Sequence, residues 1–211
     1  TENKDDAQNP LFAVLNPNFT QEGGPGYGPI IGYASASDTA KVSEYFRKGL
    51  ERGIIPSTIN PSWTVKPDKR IIIKGAPQYA LVALKGKATK GKTAKAALSG
   101  DVVTDAKADF NQHSVNAEVS MTMSTEGARK WAVLTRNNIN KSVAIVLDGY
   151  VYSYPNVQSK ISGGSSQITG NFTAEEAVEL AKKEKADGVM ATDPDADRFG
   201  TAFPDKDGNF V

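Results

Sequence analysis

The sequence predicts an α+β fold in which antiparallel strand pairs carry helices on one face. Three stretches predict it. "SVAIVL-DG-YVYSY" (142–154) sets Asp-Gly between two β-rich runs, and both residues of a tight type I′ turn need positive φ. "AEVSMTM" (117–123) alternates Ala117, Val119, Met121 and Met123 with polar partners, the period of a half-buried strand. "STEGARKWAVLTRNN" (124–138) repeats at helical spacing and turns Ala128, Trp131, Ala132 and, just beyond it, Ile139 inward.

The remaining elements follow in chain order. Residues 1–10 are polar and predict a frayed end. "LFAVLNPNF" reads as a strand and turn, and "QEGGPGYGP" as punctuation dense in Gly and Pro. "SDTAKVSEYFRKGL" is a helix that Ser37 or Asp38 can cap, with Val42, Tyr45, Phe46 and Leu50 on one face. "SWTVK", "RIIIK" and "QYALVALK" are short strands. At Gly100 the texture changes, and a second part begins with the strand "DVVTDAKADF". "SQITGNF" then leads to the helix "TAEEAVELAKKEKA", where Thr173 and Glu176 have capping-box spacing.

Composition narrows the function classes. The 211 residues suffice for a buried core, and 39% apolar with 23% charged residues is ordinary for a globular chain. The net charge of +1 gives no overall bias toward nucleic acid or an anionic membrane. Zero cysteines excludes disulfides, thiolate metal sites and cysteine nucleophiles. The longest apolar run, "VAIVL" (143–147), is strand-sized and far short of the roughly 20 residues that span a bilayer. No signal peptide is recognisable, so a targeting segment, if there is one, lies outside these residues.

Three chemical patterns remain. "GKATKGKT" (86–93) matches the phosphate-loop pattern letter for letter, but "AKAALSG" behind it ends at Gly100, before a phosphate-cradling helix can form. A lysine-rich hairpin or linker is the better reading. His113, the only histidine, sits in the polar loop "FNQHSVN" and takes no role. "ATDPDADRFG" (191–200) sets Asp193, Asp195 and Asp197 on alternate positions, an oxygen-rich arrangement that suits Mg²⁺. An EF-hand is excluded, because its sixth position is Arg198 where Gly is needed and its twelfth is Pro204 where Glu is needed.

Two resemblances complete the reading. "GDVVTDAKADFN", "EVSMTMSTEGARKWAVLT", "KSVAIVLDGYVYSYPNV" and "ITGNFTAEEAVELA" resemble the extracytoplasmic (periplasmic) domain of SecD, which lies between the first and second transmembrane helices of that protein-export subunit. "GPGYGPIIGYASASDTAKVSEYF" and "WTVKPD" are similar to the upstream part of that domain in Bacteroidetes-like SecD or SecDF, so the likeness runs from about residue 11 to about 181. It implies a ferredoxin-like base and a smaller, more mobile head, which the sequence divides as head 1–99 and base 100–181. It also implies a non-enzymatic domain that holds unfolded preprotein, works with SecF and the SecYEG channel, and couples to proton-driven export. Such a domain faces the periplasm and reaches the membrane through helices absent from this chain. It needs no cofactor, no nucleic acid and no catalytic residue.

Residues 182–211 depart from that pattern. "TDPDADR" resembles the magnesium loop of phosphohexomutases, which maps metal ligands onto Asp193, Asp195 and Asp197. The alternative it implies is a mutase fragment with a Mg²⁺ site. Such a fragment would be inactive, because "ASASDTA" (34–40) lacks the His-Asn-Pro of the phosphoserine loop and leaves no phosphoryl group to transfer.

Overall fold

The computed structural model describes residues 9–24, 26–85, 87–89, 92–110, 117–172, 189–192 and 199–202. The chain divides into two compact units, Thr1–Ala97 with Ala144–Tyr154, and Leu98–Val143 with Pro155–Val211. The α+β class is borne out: among the described residues every pairing within the sheets is antiparallel, and two α-helices accompany them.

The first unit is built around one long strand. β1 (Asn16–Pro17), β2 (Ile30–Ala34), β3 (Ile59–Trp63), β4 (Asp68–Ile73) and β5 (Ala76–Lys85) form a sheet ordered β1-β2-β5-β3, with β4 also paired to β5. β5 lies between β2 and β3, so Ala80, Leu81 and Val82 are buried in succession. That central place explains why "QYALVALK" is nearly continuous in apolar residues instead of alternating. Helix α1 (Thr39–Glu51) buries Val42 fully, and Phe46 packs on the cluster Leu15, Ala34, Val42 and Leu81. Trp63 joins that cluster at its edge and donates its indole N–H to the Ser43 hydroxyl at 2.8 Å. Asp38 does stand at the N-cap, but its carboxylate accepts from the Ser35 hydroxyl at 2.7 Å instead of capping a helical amide. β4 turns into β5 through Lys74 and Gly75, with φ of +51° and +78°.

β6 (Lys87–Thr89) and β7 (Lys92–Lys95) form a hairpin directly after β5, with Lys87 paired to Lys95 and Thr89 to Lys92. The Asp-Gly hairpin forms as the sequence predicts. β10 (Ile145–Leu147) and β11 (Tyr150–Ser153) flank Asp148 and Gly149, whose φ are +51° and +83°. This hairpin belongs to the first unit, not to the part that begins at residue 100. Val151 is 1% exposed, bridges Thr64, and accepts from the Val65 amide at 3.0 Å.

The second unit holds β8 (Val103–Phe110), β9 (Ala117–Met123) and β12 (Ser165–Phe172) in the order β12-β9-β8, with a 3₁₀ turn at Gly100–Val102 ahead of them. The alternation in β9 buries Val119, Met121 and Met123, and Ala106, Ala108 and Ile168 continue that face on its neighbours. Helix α2 (Thr125–Asn137) is capped by Ser124, whose hydroxyl accepts from the Gly127 amide at 3.2 Å. Gly127 sits so near Val102 that an added Cβ would lie 2.7 Å from that valine's Cβ.

Trp131 is buried as expected, but Ile139 is not: it lies past the helix end and is 39% exposed. Asn138 closes the helix by donating its side-chain amide to Leu134, and Asn140 takes φ +62°, which ends the helical spacing on which the inward reading of Ile139 rested. Thr135 takes the inward place, fully buried. Its hydroxyl donates to the Trp131 carbonyl at 2.9 Å and accepts from the Ile161 amide at 3.0 Å. β13 (Val189–Thr192) and β14 (Phe199–Ala202) pair as a short hairpin in the C-terminal stretch. Among the described residues no helix is long and apolar enough to cross a membrane.

Candidate interaction surface

The connection from β1 to β2 carries aromatic rings into solvent. It folds back on Asn18, which donates from its amide N–H to Ile31, donates from its side chain to Ile30, and accepts at its carbonyl from Gly26. A Cβ on Gly26 would collide with the Asn18 side chain at 2.5 Å, so glycine there is a requirement of close approach. The Thr20 amide donates to Gly24 at 2.8 Å, closing the loop on itself. Out of this frame stand Phe19, 56% exposed, and Tyr27, 95% exposed, while Phe12 meets Phe19 edge-on at 6.5 Å. The same unit exposes Ile54, Ile72 and Tyr150. Large apolar side chains left in water are free to bury against a partner.

β4 adds a strand edge and a charged cluster. Its only ladder partner among the described residues is β5. Lys69, Arg70 and Lys74 stand around the exposed Ile72, the charge pattern that keeps a strand edge from pairing indiscriminately. Asp68 and Arg70, two apart in the strand, form a forked ion pair with Nε–Oδ1 at 2.9 Å and Nη2–Oδ2 at 2.7 Å, and the Arg70 amide donates to the same carboxylate. That hydrogen bond from the Arg70 side chain, above all, holds the Asp68 carboxyl below its ordinary value. Tyr33 and Tyr154 titrate above the ordinary phenol, first through burial; the Asp68 charge raises both further, and Arg70 opposes it. Lys66 is lowered by burial and by the nearby Lys69.

The ion pair carries a pH prediction. A depressed carboxyl stabilises the fold fully above its unfolded value, and the contribution is lost as the pH falls through the folded one. Arg70→Gln should therefore raise the Asp68 titration toward the ordinary carboxylate range and flatten the acid limb of stability, read by NMR titration of the Asp68 carboxyl. An unchanged titration would show that Arg70 does not hold the carboxylate.

The structure sorts the residues marked from sequence. Lys92 and Thr93 lie on β7, in a hairpin, where a phosphate loop would need them at the first turn of a helix. Asp148 is a turn residue of its own hairpin. His113, Thr173, Glu176 and the proposed metal ligands Asp193, Asp195 and Asp197 lie outside the described residues. Among the described residues no group of three His, Cys, Asp or Glu could hold a metal ion. Sequence reading missed the gathering of Tyr33, Asp68, Arg70 and Tyr154. The signal available was Asp68 and Arg70 two apart in a β-run, which puts both on one face.

Comparison with known proteins identifies the chain's relatives. A family model described as SecDF, P1 head subdomain, matches residues 81–186. The protein translocase subunit SecD of Rhodothermus marinus is 37% identical over 187 residues, which are 87% of this chain and 27% of that protein. The SecD of Rickettsia conorii is 43% identical over 97 residues, 46% of this chain and 18% of its own length. A solved SecDF structure, described as a membrane component that enhances protein export, is 26% identical, with a TM-score of 0.40 over 58% of this chain and 78% of its own.

The chain thus spans about a quarter or less of the curated relatives it matches. These comparisons lend no support to the phosphohexomutase resemblance of residues 182–211. With its family model spanning half of the residues, the chain belongs to the SecDF P1 head subdomain family.

Proposed function

We infer that the chain is the extracytoplasmic domain of a SecD-type subunit, and that it holds unfolded preprotein while the subunit couples export to proton flow. The single observation that supports this most is the match of the SecDF head model over 81–186. Its partners in this reading are SecF, the SecYEG channel and the emerging polypeptide, and its place is the periplasmic side of the inner membrane. The chain takes no catalytic residue and no cofactor here.

The surface assigned to the preprotein is that of the first unit. Phe19 and Tyr27 offer aromatic contact, and Ile72 offers an exposed aliphatic contact on β4. Both contacts read apolar character and not a particular sequence, which suits a protein that must take many clients.

Photocrosslinkers at Tyr27 and Ile72 should capture an unfolded client polypeptide, while one at Arg129 on helix α2 should not. Capture at Arg129 alone would move the surface, and no capture at any position would remove it. Turnover of a sugar phosphate with Mg²⁺ would overturn the non-enzymatic reading.

A further inference from the structure

We propose that the β6–β7 hairpin is an electrostatic docking element for an anionic phospholipid surface. This rests on the hairpin itself and not on the preprotein reading. Lys85 ends the central strand β5, and Lys87, Lys92 and Lys95 follow on the hairpin. From Ala76 to Gly100 the sequence has no carboxylate, although the whole chain carries only +1. The positive charge is therefore gathered here and offset elsewhere.

The strand register makes the gathering deliberate. Lys87 and Lys95 occupy paired positions of an antiparallel ladder, where like charges cost local stability. A sequence selected only to close a hairpin would place threonine or opposite charges there. An anionic partner removes that cost.

The residue types choose the partner. Between the lysines stand only glycine, alanine and threonine. No aromatic ring is present to stack a nucleobase, which argues against single-stranded nucleic acid. No arginine is present to fork a carboxylate or a phosphate, and no large apolar residue to fill a pocket, which argues against a specific acidic peptide. Compact, strongly hydrated ammonium groups on small-residue strands suit a diffuse layer of anionic headgroups, which attracts roughly fivefold per lysine. In chain order these lysines follow β5, the central strand of the first unit, and belong to that unit.

The test uses the full 211-residue chain and sedimented vesicles. Binding should be measurable on phosphatidylcholine vesicles containing phosphatidylglycerol, absent on phosphatidylcholine alone, and weakened by added salt. The triple variant Lys87→Gln, Lys92→Gln, Lys95→Gln should lose on the order of a hundredfold in partitioning. The matching Lys→Arg triple variant should keep the binding, and circular dichroism should show both variants folded. Should the glutamine variant not fold, loss of wild-type binding in salt together with retention by the arginine variant carries the test. Three results would overturn the proposal: no binding to the anionic vesicles, equal binding by the folded glutamine variant, or binding to polyglutamate without binding to vesicles.

Discussion

Leu81→Ala is expected to lower the stability of the first unit by about 3 kcal/mol, within the range found for large-to-alanine changes in packed cores. Leu81 is 2% exposed on the central strand and joins Leu15, Ala34 and Val42 in one cluster, with Phe46 and Trp63 against it. It is hydrogen-bonded into both neighbouring strands, opposite Gly32 on β2 and Trp63 on β3. The backbone cannot readily collapse into the space that truncation leaves, so the cavity term adds to the lost transfer term. Chemical denaturation followed by tryptophan fluorescence should show an earlier midpoint. Leu81→Met should restore most of the loss, because it conserves volume. A wild-type midpoint for Leu81→Ala would mean that this cluster does not hold the unit together.

The second large effect is expected at Gly164, where alanine should destabilise the second unit by roughly 1–3 kcal/mol through backbone strain and more through overlap. Gly164 takes φ +72°, a region that side chains with a Cβ avoid. An added methyl would also lie 2.8 Å from the Ala128 Cβ, so helix α2 would have to shift. The Gly164 carbonyl meanwhile accepts from the Met123 amide at 2.8 Å, which ties this turn to the end of β9. The double variant Gly164→Ala, Ala128→Gly should recover the overlap part but not the φ part, and the two losses can be read separately from thermal unfolding. Full recovery would assign the whole effect to crowding, and no loss at all in Gly164→Ala would refute the turn geometry.

Both positions show where sequence reading reaches and where it stops. The strand that carries Leu81 was legible, because "QYALVALK" is eight residues of β-type pattern. Its central place in the sheet was not, since no local signal names the two neighbours. Gly164 reads only as one glycine of a loop, and its necessity comes from Ala128, which lies 36 residues earlier. The candidate surface divides in the same way. The Gly/Pro loop and its aromatics are visible in the sequence. The approach of Tyr33 and Tyr154 to the Asp68–Arg70 pair joins segments far apart along the chain, and no spacing announces it.

The residues in sequence were enough for the Asp148-Gly149 turn, the alternation of β9, the helical spacing of α2 and the α+β class, and their motifs marked the SecD resemblance. These depend on φ/ψ sterics and on periods of 2 and 3.6 residues, which neighbours along the chain settle among themselves. Tertiary structure decided that the 145–153 hairpin joins the first unit through Val151, that Thr135 and not Ile139 fills the space beneath α2, and that "GKATKGKT" closes as a hairpin. Each of these is a competition between distant surfaces for the same buried area or the same backbone partner, and its outcome depends on the free energy of the whole unit, which no local window contains.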